Sequence, residues 1–239
     1  MSATVTSSTR EGPLGTKPRT PPLENGDQLS AAEFLRRYEA MPHLKKAELI
    51  EGIVYMPSPV RLDHAEPDTL IQTWLGLYSA HTPGTRAASN ATVRLGVDNV
   101  PQPDALLRLL PECGGHAQED EKGCLSGAPE LIVEIAASSV AIDLRDKLRA
   151  YRRAGVREYL VWPTQEQKFD WFVLEEDEYR PISPDARGWL RSAGFPGLVL
   201  DVQAVLTRDA GKVLAALQAV LQEPAHAEFV ANLQAKAGR

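Results

Sequence analysis

The sequence lacks the features of several classes of protein. Only two of its 239 residues are cysteine, which excludes the disulfide framework of a small secreted domain. No apolar run approaches the roughly eighteen residues of a membrane span, and the first residues lack the apolar block of a secretory signal. We therefore expect a cytoplasmic protein without a membrane partner.

Positive charge is also scarce. The chain has 26 Lys and Arg residues against 32 Asp and Glu residues, and its net charge is -6. This balance excludes a uniformly basic nucleic-acid-binding protein, so any nucleic-acid site has to be local. The absence of a Gly-rich phosphate loop, a nucleophile elbow and a metal-binding His pair argues against a small-molecule α/β enzyme.

The two cysteines, Cys113 and Cys124, flank a Gly-rich acidic segment. Together with His116 they offer only three zinc ligands at an unusual spacing. They are interpreted either as zinc ligands or, more simply, as two reduced thiols in a loop.

The composition divides the chain into three parts. Residues 1–26 are rich in Ser, Thr, Pro and Gly without apolar periodicity, which predicts a disordered tail. Residues 27–207 carry the apolar patterns of a folded domain, and 43% hydrophobic residues suffice for its core. Residues 208–239 form an extension in which the stretch 210–236 is rich in Ala, Leu and Gln and predicts a helix.

Turn and capping signals place the first elements. A capping box at Ser30 predicts the start of a helix, and the segment KKAELIEGIVYMPSP predicts a hairpin around Glu51 and Gly52. Apolar residues at helical spacing predict a long amphipathic helix over residues 62–81. Because Pro67 fits only a first turn, we expect the body of this helix to begin near residue 66.

Strands then alternate with a helix. The segments NATVRLGV, PDALLRLL and LIVEIAA predict three strands, with a long polar loop over residues 111–129. A helix from about Asp143 to Ala154 follows, with Asp143 as its cap and Gly155 as its end. REYLVW and KFDWFVLE predict further strands. The order of helix, three strands, helix and strand, with a hairpin in front, predicts an α/β fold with a mixed sheet between helices.

Two acids interrupt the apolar runs of this sheet. Asp104 begins the segment PDALLRLL, and Glu134 lies inside PELIVEIAA. An ionised carboxylate in such surroundings is costly unless it is paired, hydrogen-bonded or bound to a metal. A divalent cation would compensate both charges, and two carboxylates with a lysine suit metal-dependent cleavage of a phosphodiester bond. Lys147 in the next helix is the candidate lysine.

Each of these residues also has an ordinary interpretation. Glu134 could be a buried acid held by Arg94 or Arg108. Asp104 after a proline is common in turns. Helical periodicity places Lys147 at the edge of the sheet-facing stripe, but an exposed pair with Asp143 has the same spacing.

The order of the segments resembles that of a known family. AELIEGIVYMPSP, His64, PDALL, PELIVEIAASS, RDKLRAYRRAGVREYLVW and FPGLVLDV follow one another as in the Uma2 family of restriction endonucleases, within the PD-(D/E)xK nuclease superfamily. The resemblance covers roughly residues 27–207. It implies a restriction-endonuclease-like core, with a hairpin before it and a helix after it, and a divalent-metal site.

One position departs from the superfamily pattern. The lysine that usually stands two residues after the second acid is replaced here by Ala136. Members of the resembling family supply the lysine from the next helix, and Lys147 is the matching residue. The resemblance thus implies Asp104, Glu134 and Lys147 as catalytic residues, with Asp104 and Glu134 as ligands of Mg²⁺ or Mn²⁺.

Two further residues and a basic helix complete the candidate site. Glu48 stands where the family places an acid, although an acid on an edge strand can also face solvent. His64 could contact a phosphate or act as a base, although a lone histidine is more often a cap or a surface residue. Arg145 and Arg149 lie near Lys147 and could contact DNA phosphates, unless they belong to a solvated helix face.

The function expected from these residues is metal-dependent hydrolysis of DNA by an endonuclease that could act as a homodimer. The alternative is a nuclease fold retained as a nucleic-acid-binding or structural module without turnover. The acid pair favours the enzyme, whereas the acidic net charge and the displaced lysine favour the module.

Overall fold

The N-terminal helix begins where the capping signal predicts. The computed structural model describes residues 20–57, 59–137, 139–166 and 168–238, so most of the predicted tail lies outside the described residues. Helix α1 spans Ala31–Glu39, and the Ser30 side chain accepts a hydrogen bond from the backbone N–H of Glu33. This contact satisfies one of the free N–H groups at the helix start.

The predicted hairpin is present. Strands β1 (Glu48–Ile50) and β2 (Ile53–Tyr55) pair in antiparallel fashion. Both residues of their connecting turn, Glu51 and Gly52, have positive φ angles, as a type I′ hairpin turn requires. The hairpin, helix α1 and Leu23 share a small apolar cluster built around Phe34.

The long helix α2 spans Leu62–His81, so the prediction that its body begins near residue 66 is wrong by about one turn. Pro67 lies inside the helix at its sixth residue. The missing N–H of Pro67 deprives only the carbonyl of Asp63, in the first turn, of its usual partner. The helix can therefore begin ahead of the proline.

Nine strands lie between helix α2 and the C-terminal part in the described residues. They are β3 (Thr85–Ser89), β4 (Val93–Arg94), β5 (Ala105–Leu109), β6 (Gln118–Glu119), β7 (Leu125–Ser126), β8 (Leu131–Ala136), β9 (Glu158–Pro163), β10 (Asp170–Glu175) and β11 (Glu178–Pro181). Six of them form the central sheet in the order β11-β10-β9-β8-β5-β3. Strands β8 and β9 are parallel and the other neighbours are antiparallel, so the sheet is mixed, as predicted.

The segment NATVRLGV does not join the central sheet. Its strand β4 is only two residues long and pairs with β7 in a separate three-stranded sheet with β6. The first strand of the central sheet is instead β3, with the sequence TRAAS. Both short strands β6 and β7 lie in the segment predicted as a loop, where a 3₁₀ turn also spans Pro111–Cys113.

A helical segment connects the parallel strands β8 and β9. Helix α3 spans Leu148–Ala154 and ends at Gly155, which has the left-handed conformation predicted for this stop. A π-helical turn over Ile142–Lys147 precedes α3 directly. The prediction that Asp143 caps the helix is wrong, because Asp143 is a buried residue inside the π turn.

The C-terminal part packs on the sheet. Strands β12 (Trp189–Arg191) and β13 (Val199–Asp201) pair, and helices α4 (Val202–Leu206), α5 (Ala210–Val220) and α6 (Pro224–Ala237) follow. The single helix predicted over residues 210–236 is therefore two helices, the second of which begins at a proline. Pro224 cannot continue a helix but is well suited to start one.

Two apolar clusters cover the two faces of the central sheet. One contains helix α2, strands β12 and β13 and the C-terminal helices, with Trp74, Trp171 and Phe195 fully buried. The other contains the three-stranded sheet and helix α3, with Tyr151 and Tyr159 fully buried. Within the described ranges, no helix is both long and apolar enough to cross a membrane.

Candidate active site

Asp104 and Glu134 lie next to each other at one end of the central sheet. Ala105 of β5 pairs with Val133 of β8, and the same antiparallel register places Asp104 opposite Glu134. The backbone N–H of Ile135 donates a hydrogen bond to Oδ2 of Asp104 over 2.9 Å. Both acids are buried, at 4% and 2% exposure. The sheet therefore brings the two predicted acids to one place.

Lys147 reaches this pair of acids from the π turn. Its Nζ lies 3.0 Å from Oε1 of Glu134, 3.0 Å from Oε2 of Glu48 and 3.5 Å from Oδ1 of Asp143. The contact with Asp143 thus exists, but it is buried and is not the exposed surface pair considered from the sequence. One ammonium group holds three carboxylates from three elements together.

Glu48 is buried, so its interpretation as an edge-strand acid facing solvent is wrong. Its Oε1 accepts a hydrogen bond of 2.7 Å from the backbone N–H of Gln102, while Oε2 contacts Lys147. The segment before β5 and the π turn thus both fix this carboxylate. The N-terminal hairpin supplies a third acid to the site.

The partners of Glu134 are Lys147 and Tyr151, not the arginines proposed as its ordinary partners. The Tyr151 hydroxyl donates a hydrogen bond of 2.6 Å to Oε1 of Glu134. Arg94 pairs with Asp120, and Arg108 donates to a backbone carbonyl. The π turn and helix α3 therefore hold Glu134 through one side chain each, and these two side chains are one helical turn apart.

Asp104 has its own pair of cationic partners. Nζ of Lys46 lies 3.1 Å from Oδ1, and Nε2 of His64 lies 3.2 Å from Oδ2. Lys46 also donates a hydrogen bond of 3.0 Å to Oδ1 of Asn90. The remaining ring nitrogen of His64, Nδ1, is buried and makes no hydrogen bond with the described residues. His64 is therefore a site residue and not a helix cap.

The two acids have opposite electrostatic surroundings. Burial raises the pKa of Glu134 to about 8, although the charge of Lys147 opposes the increase. Burial acts in the same direction on Asp104, but the hydrogen bond from His64 and the charge of Lys46 hold the pKa of Asp104 well below its usual range. Asp104 is thus a stable anion, whereas the charged form of Glu134 is costly in its surroundings.

The same carboxylates raise the pKa of the cationic side chains beside them. Burial alone would lower the pKa of Lys147, but the surrounding carboxylates, Glu134 first, raise it well above its ordinary value. The hydrogen bond to Asp104 raises the pKa of His64, although partial burial opposes it. Lys147 is therefore a permanent cation and not a proton acceptor.

The charges of the cluster suit a divalent cation. Its carboxylates outnumber its lysines by two; the acids are Glu48, Asp104, Glu134 and Asp143, and the lysines are Lys46 and Lys147. Burial is the main cause of the raised pKa of Glu134, and the neighbouring carboxylates raise it further. Oδ1 of Asp143 is buried without a hydrogen bond to the described residues. Carboxylate oxygens are the ligands that Mg²⁺ prefers.

The described part of the chain contains no group of three or more His, Cys, Asp or Glu side chains arranged to hold a metal ion. The reason is visible in the contacts, because lysines and His64 draw the carboxylates of the cluster toward themselves. A cation that keeps several of its waters needs only one or two carboxylates, as Mg²⁺ commonly does. The residues present therefore fit Mg²⁺ better than a metal that demands a complete protein cage.

Most arginines of the helical segment around Lys147 are paired with acids, so fewer of them are available for phosphates than the sequence indicates. Arg149 is exposed but pairs with Asp146, and Arg152 pairs with Glu178. Arg153 pairs with Glu51 of the hairpin turn. Arg145 is exposed and has no acidic partner within the described ranges.

Three site residues escaped the sequence analysis: Lys46, Asp143 and Tyr151. Lys46 lies two positions before Glu48, a spacing that places both on one side of an extended chain. Asp143 and Tyr151 lie four positions before and after Lys147, a spacing that places them on one helical face. These spacings could have pointed to Lys46 and Tyr151. The pair of Asp143 with Lys147 was considered from the sequence, but as an exposed pair and not as part of a buried cluster. Cys113 and Cys124 take no part in the site; both are free thiols.

Comparisons with known proteins bear on the family and the fold of the chain. The family model described as "Uma2: Putative restriction endonuclease" matches residues 31–203. A solved structure from Anabaena variabilis, described as "a putative nuclease belonging to DUF820", superposes with a TM-score of 0.56 at 16% sequence identity. The match covers 72% of this chain and 97% of the other, and thus confirms the fold. No curated protein matches the sequence significantly.

Proposed function

Since the chain belongs to the Uma2 family, we propose that it is an endonuclease that hydrolyses phosphodiester bonds of DNA with the help of Mg²⁺ or Mn²⁺. The main support is the contact of Lys147 with Glu134 and Glu48, next to the carboxylate of Asp104. Two acids and a fixed ammonium group are the parts that metal-dependent cleavage of a phosphodiester requires.

Asp104 and Glu134 would hold the metal ion, together with water and a main-chain carbonyl near Ile135. When bound, the ion supplies a water molecule of lowered pKa and neutralises charge on the phosphate. Asp104 offers the stable anion for this purpose. Glu134 offers an acid whose charged form is costly without a cation, so its ionisation and metal binding favour each other.

The chain's own cations have separate roles. Lys147 keeps its proton, because carboxylates surround it, and three contacts fix its position. It therefore orients the attacking water or stabilises negative charge at phosphorus, and Glu48 and Tyr151 are positioning residues for it and for Glu134. The pKa of His64 is raised, which favours a phosphate contact over the role of a base.

Arg145 and Arg149 are proposed to contact DNA phosphates beside the site. Both side chains are exposed near Lys147, and such contacts bind the backbone without reading sequence. Arg149 would exchange its contact with Asp146 for a phosphate. The homodimer considered from the sequence stays a prediction.

The proposal is tested by nicking of supercoiled plasmid DNA with Mg²⁺, with Mn²⁺ and with EDTA. Wild type should nick only when metal is present, and Glu134→Gln and Lys147→Met should lose about 100-fold or more of the rate, as removal of an electrostatic group does. Glu130→Gln is the matched control, because Glu130 is a buried acid near the other end of β8. Wild-type and Glu134→Gln proteins that nick equally well would refute the proposal.

The alternative, a nuclease fold that binds without hydrolysis, has one observation in its favour. Lys46 and His64 engage both carboxylate oxygens of Asp104, as permanent partners would. This module would show no calorimetric signal with Mg²⁺ or Mn²⁺ and would bind DNA in EDTA. The endonuclease instead predicts a metal signal that Asp104→Asn abolishes.

A further inference from the structure

Two arginines stand directly opposite each other on an edge of the central sheet. Arg86 of strand β3 is the register partner of Arg108 on strand β5. Such partners point to the same face of a sheet, with Cβ atoms about 5 Å apart, and like charges in this arrangement are destabilising. An anion bound to both guanidinium groups would compensate this repulsion.

The protein itself does not supply that anion within the described residues. Nη1 of Arg86 donates to the carbonyl of Thr85 over 2.9 Å, and Nη1 of Arg108 donates to the carbonyl of Ala117 over 3.4 Å. Neither guanidinium has a described carboxylate within the 4.0 Å of an ion pair. Both contacts are to neutral carbonyls, so the two positive charges stay uncompensated.

The arginine pair lies on the same face of the sheet as the candidate active site. Asp104, Leu106 and Arg108 follow one another at every second position, so their side chains point to the same face of the sheet. Leu106 packs in the apolar cluster on the side of helix α3. Four residues of strand separate Asp104 from Arg108, a distance of about 13 Å. A DNA strand bound at Asp104 can span this distance.

The edge strand β3 runs from the candidate active site to the arginine pair. Among the described residues it pairs only with β5, so its other edge is unpaired in this part of the chain. Ser89 and Asn90 are exposed at the end near the site, and Asn90 accepts a hydrogen bond from Lys46, which also contacts Asp104. Arg86 is exposed near the other end. Strand β3 itself carries no acid that would repel a phosphate.

We propose that Arg86 and Arg108 together bind one backbone phosphate of a DNA strand that runs from Lys46 along strand β3. This inference rests on the proposed function and adds a binding site to it. Each guanidinium group has N–H donors besides the one that it uses, and a guanidinium group can bind a phosphate through two parallel N–H donors. The bound phosphate removes the repulsion between the two arginines. The contact is independent of base sequence.

Binding is measured by fluorescence anisotropy with a fluorescein-labelled DNA duplex in EDTA, so that no cleavage occurs. The variant with both Arg86→Gln and Arg108→Gln should bind about tenfold more weakly at low salt. The slope of log K against log salt should become less steep by about 0.9, the contribution of one neutralised phosphate. Arg180→Gln, on the exposed opposite edge strand β11, is the control and should bind like wild type.

Thermal unfolding without DNA separates a binding role from a structural one. Because the arginines repel each other, the double variant should unfold at the wild-type temperature or above it in low salt. A variant that is less stable than wild type, or a stable one that binds DNA like wild type, would overturn the inference. If wild type nicks plasmid in that second case, the proposed function still stands; if wild type neither binds nor nicks DNA, both fail.

Discussion

Nζ of Lys147 lies 3.0 Å from Oε1 of Glu134, although the two residues are 13 positions apart and belong to a π turn and a central strand. Both are almost fully buried. A buried ion pair of this kind is weak evidence for stability, since removal from water costs about as much as the attraction returns. The proposed function gives this pair a role that stability alone does not.

Removal of the Lys147 ammonium group should destabilise the protein. Lys147→Met leaves Glu48, Glu134 and Asp143 buried without their common cation, so the free energy of unfolding at pH 7 should fall by about 3–5 kcal/mol. Addition of Glu134→Gln to Lys147→Met should recover part of this loss, because one uncompensated charge disappears. Urea unfolding of the two single variants and the double variant measures the coupling. Additive effects would show that the two groups do not interact.

Lys46 should compete with a metal ion for Asp104. Its Nζ contacts Oδ1 of Asp104, and the charges of Asp104, Glu48 and Glu134 outweigh partial burial in raising the pKa of Lys46. Lys46→Met should therefore strengthen Mn²⁺ binding about fivefold, which corresponds to the roughly 1 kcal/mol of a partly exposed ion pair. Isothermal titration calorimetry measures the affinity, and Lys45→Met, at an exposed neighbour, is the control. Weaker Mn²⁺ binding by Lys46→Met would instead show that Lys46 supports the metal.

The sequence predicts the acids of the site better than their partners. Strand alternation places Glu134 on one face of β8, and helical spacing places Lys147 at the sheet-facing edge, because both periodicities are local properties. The partners of Asp104 come from residues 58 and 40 positions away, Lys46 and His64. Such contacts depend on how the hairpin and helix α2 pack on the sheet, which no local pattern encodes.

The wrong predictions of the fold have equally specific reasons. Strand β3 has the sequence TRAAS, in which Thr85 is the one β-branched residue and no residue is aromatic, so the sequence predicts a strand only weakly. The pairing of β3 with β5 decides its structure. The π turn buries Asp143 next to Lys147, whereas a regular helix that begins at this residue would use it as a cap. The sequence alone could have predicted the break between helices α5 and α6 at Pro224, because proline favours the first turn of a helix.

Tyr151 should matter through Glu134 and not through the substrate. Tyr151→Phe removes a buried hydrogen bond of 2.6 Å to Oε1 of Glu134 and leaves the ring in place. Because hydrogen bonds to charged groups contribute about 1.5–3 kcal/mol, the thermal midpoint should fall measurably. Mn²⁺ affinity should change as well, since the orientation of Glu134 is less restricted. Tyr179→Phe, whose hydroxyl donates to a backbone carbonyl, is the control and should leave metal affinity unchanged.

Glu158 should give the fold a pH dependence that is separate from the active site. Trp171, Ser192 and the backbone N–H of Gly194 donate hydrogen bonds to its carboxylate, which fastens β9 to β10 and to the loop after β12. Burial raises the pKa of Glu158 above its ordinary value of 4.5, and these hydrogen bonds only partly oppose the increase.

The sign of the effect follows from proton binding. The folded state holds a proton on Glu158 at pH values where the unfolded state has lost it, so protonation stabilises the fold fully below pH 4.5. This contribution is lost as the pH rises through the folded pKa. Glu158→Gln cannot ionise, so the stability of wild type relative to this variant should fall between pH 4.5 and 7.5, as urea unfolding at both pH values measures. A difference that stays constant or grows with pH would mean that the hydrogen bonds outweigh burial at this carboxylate.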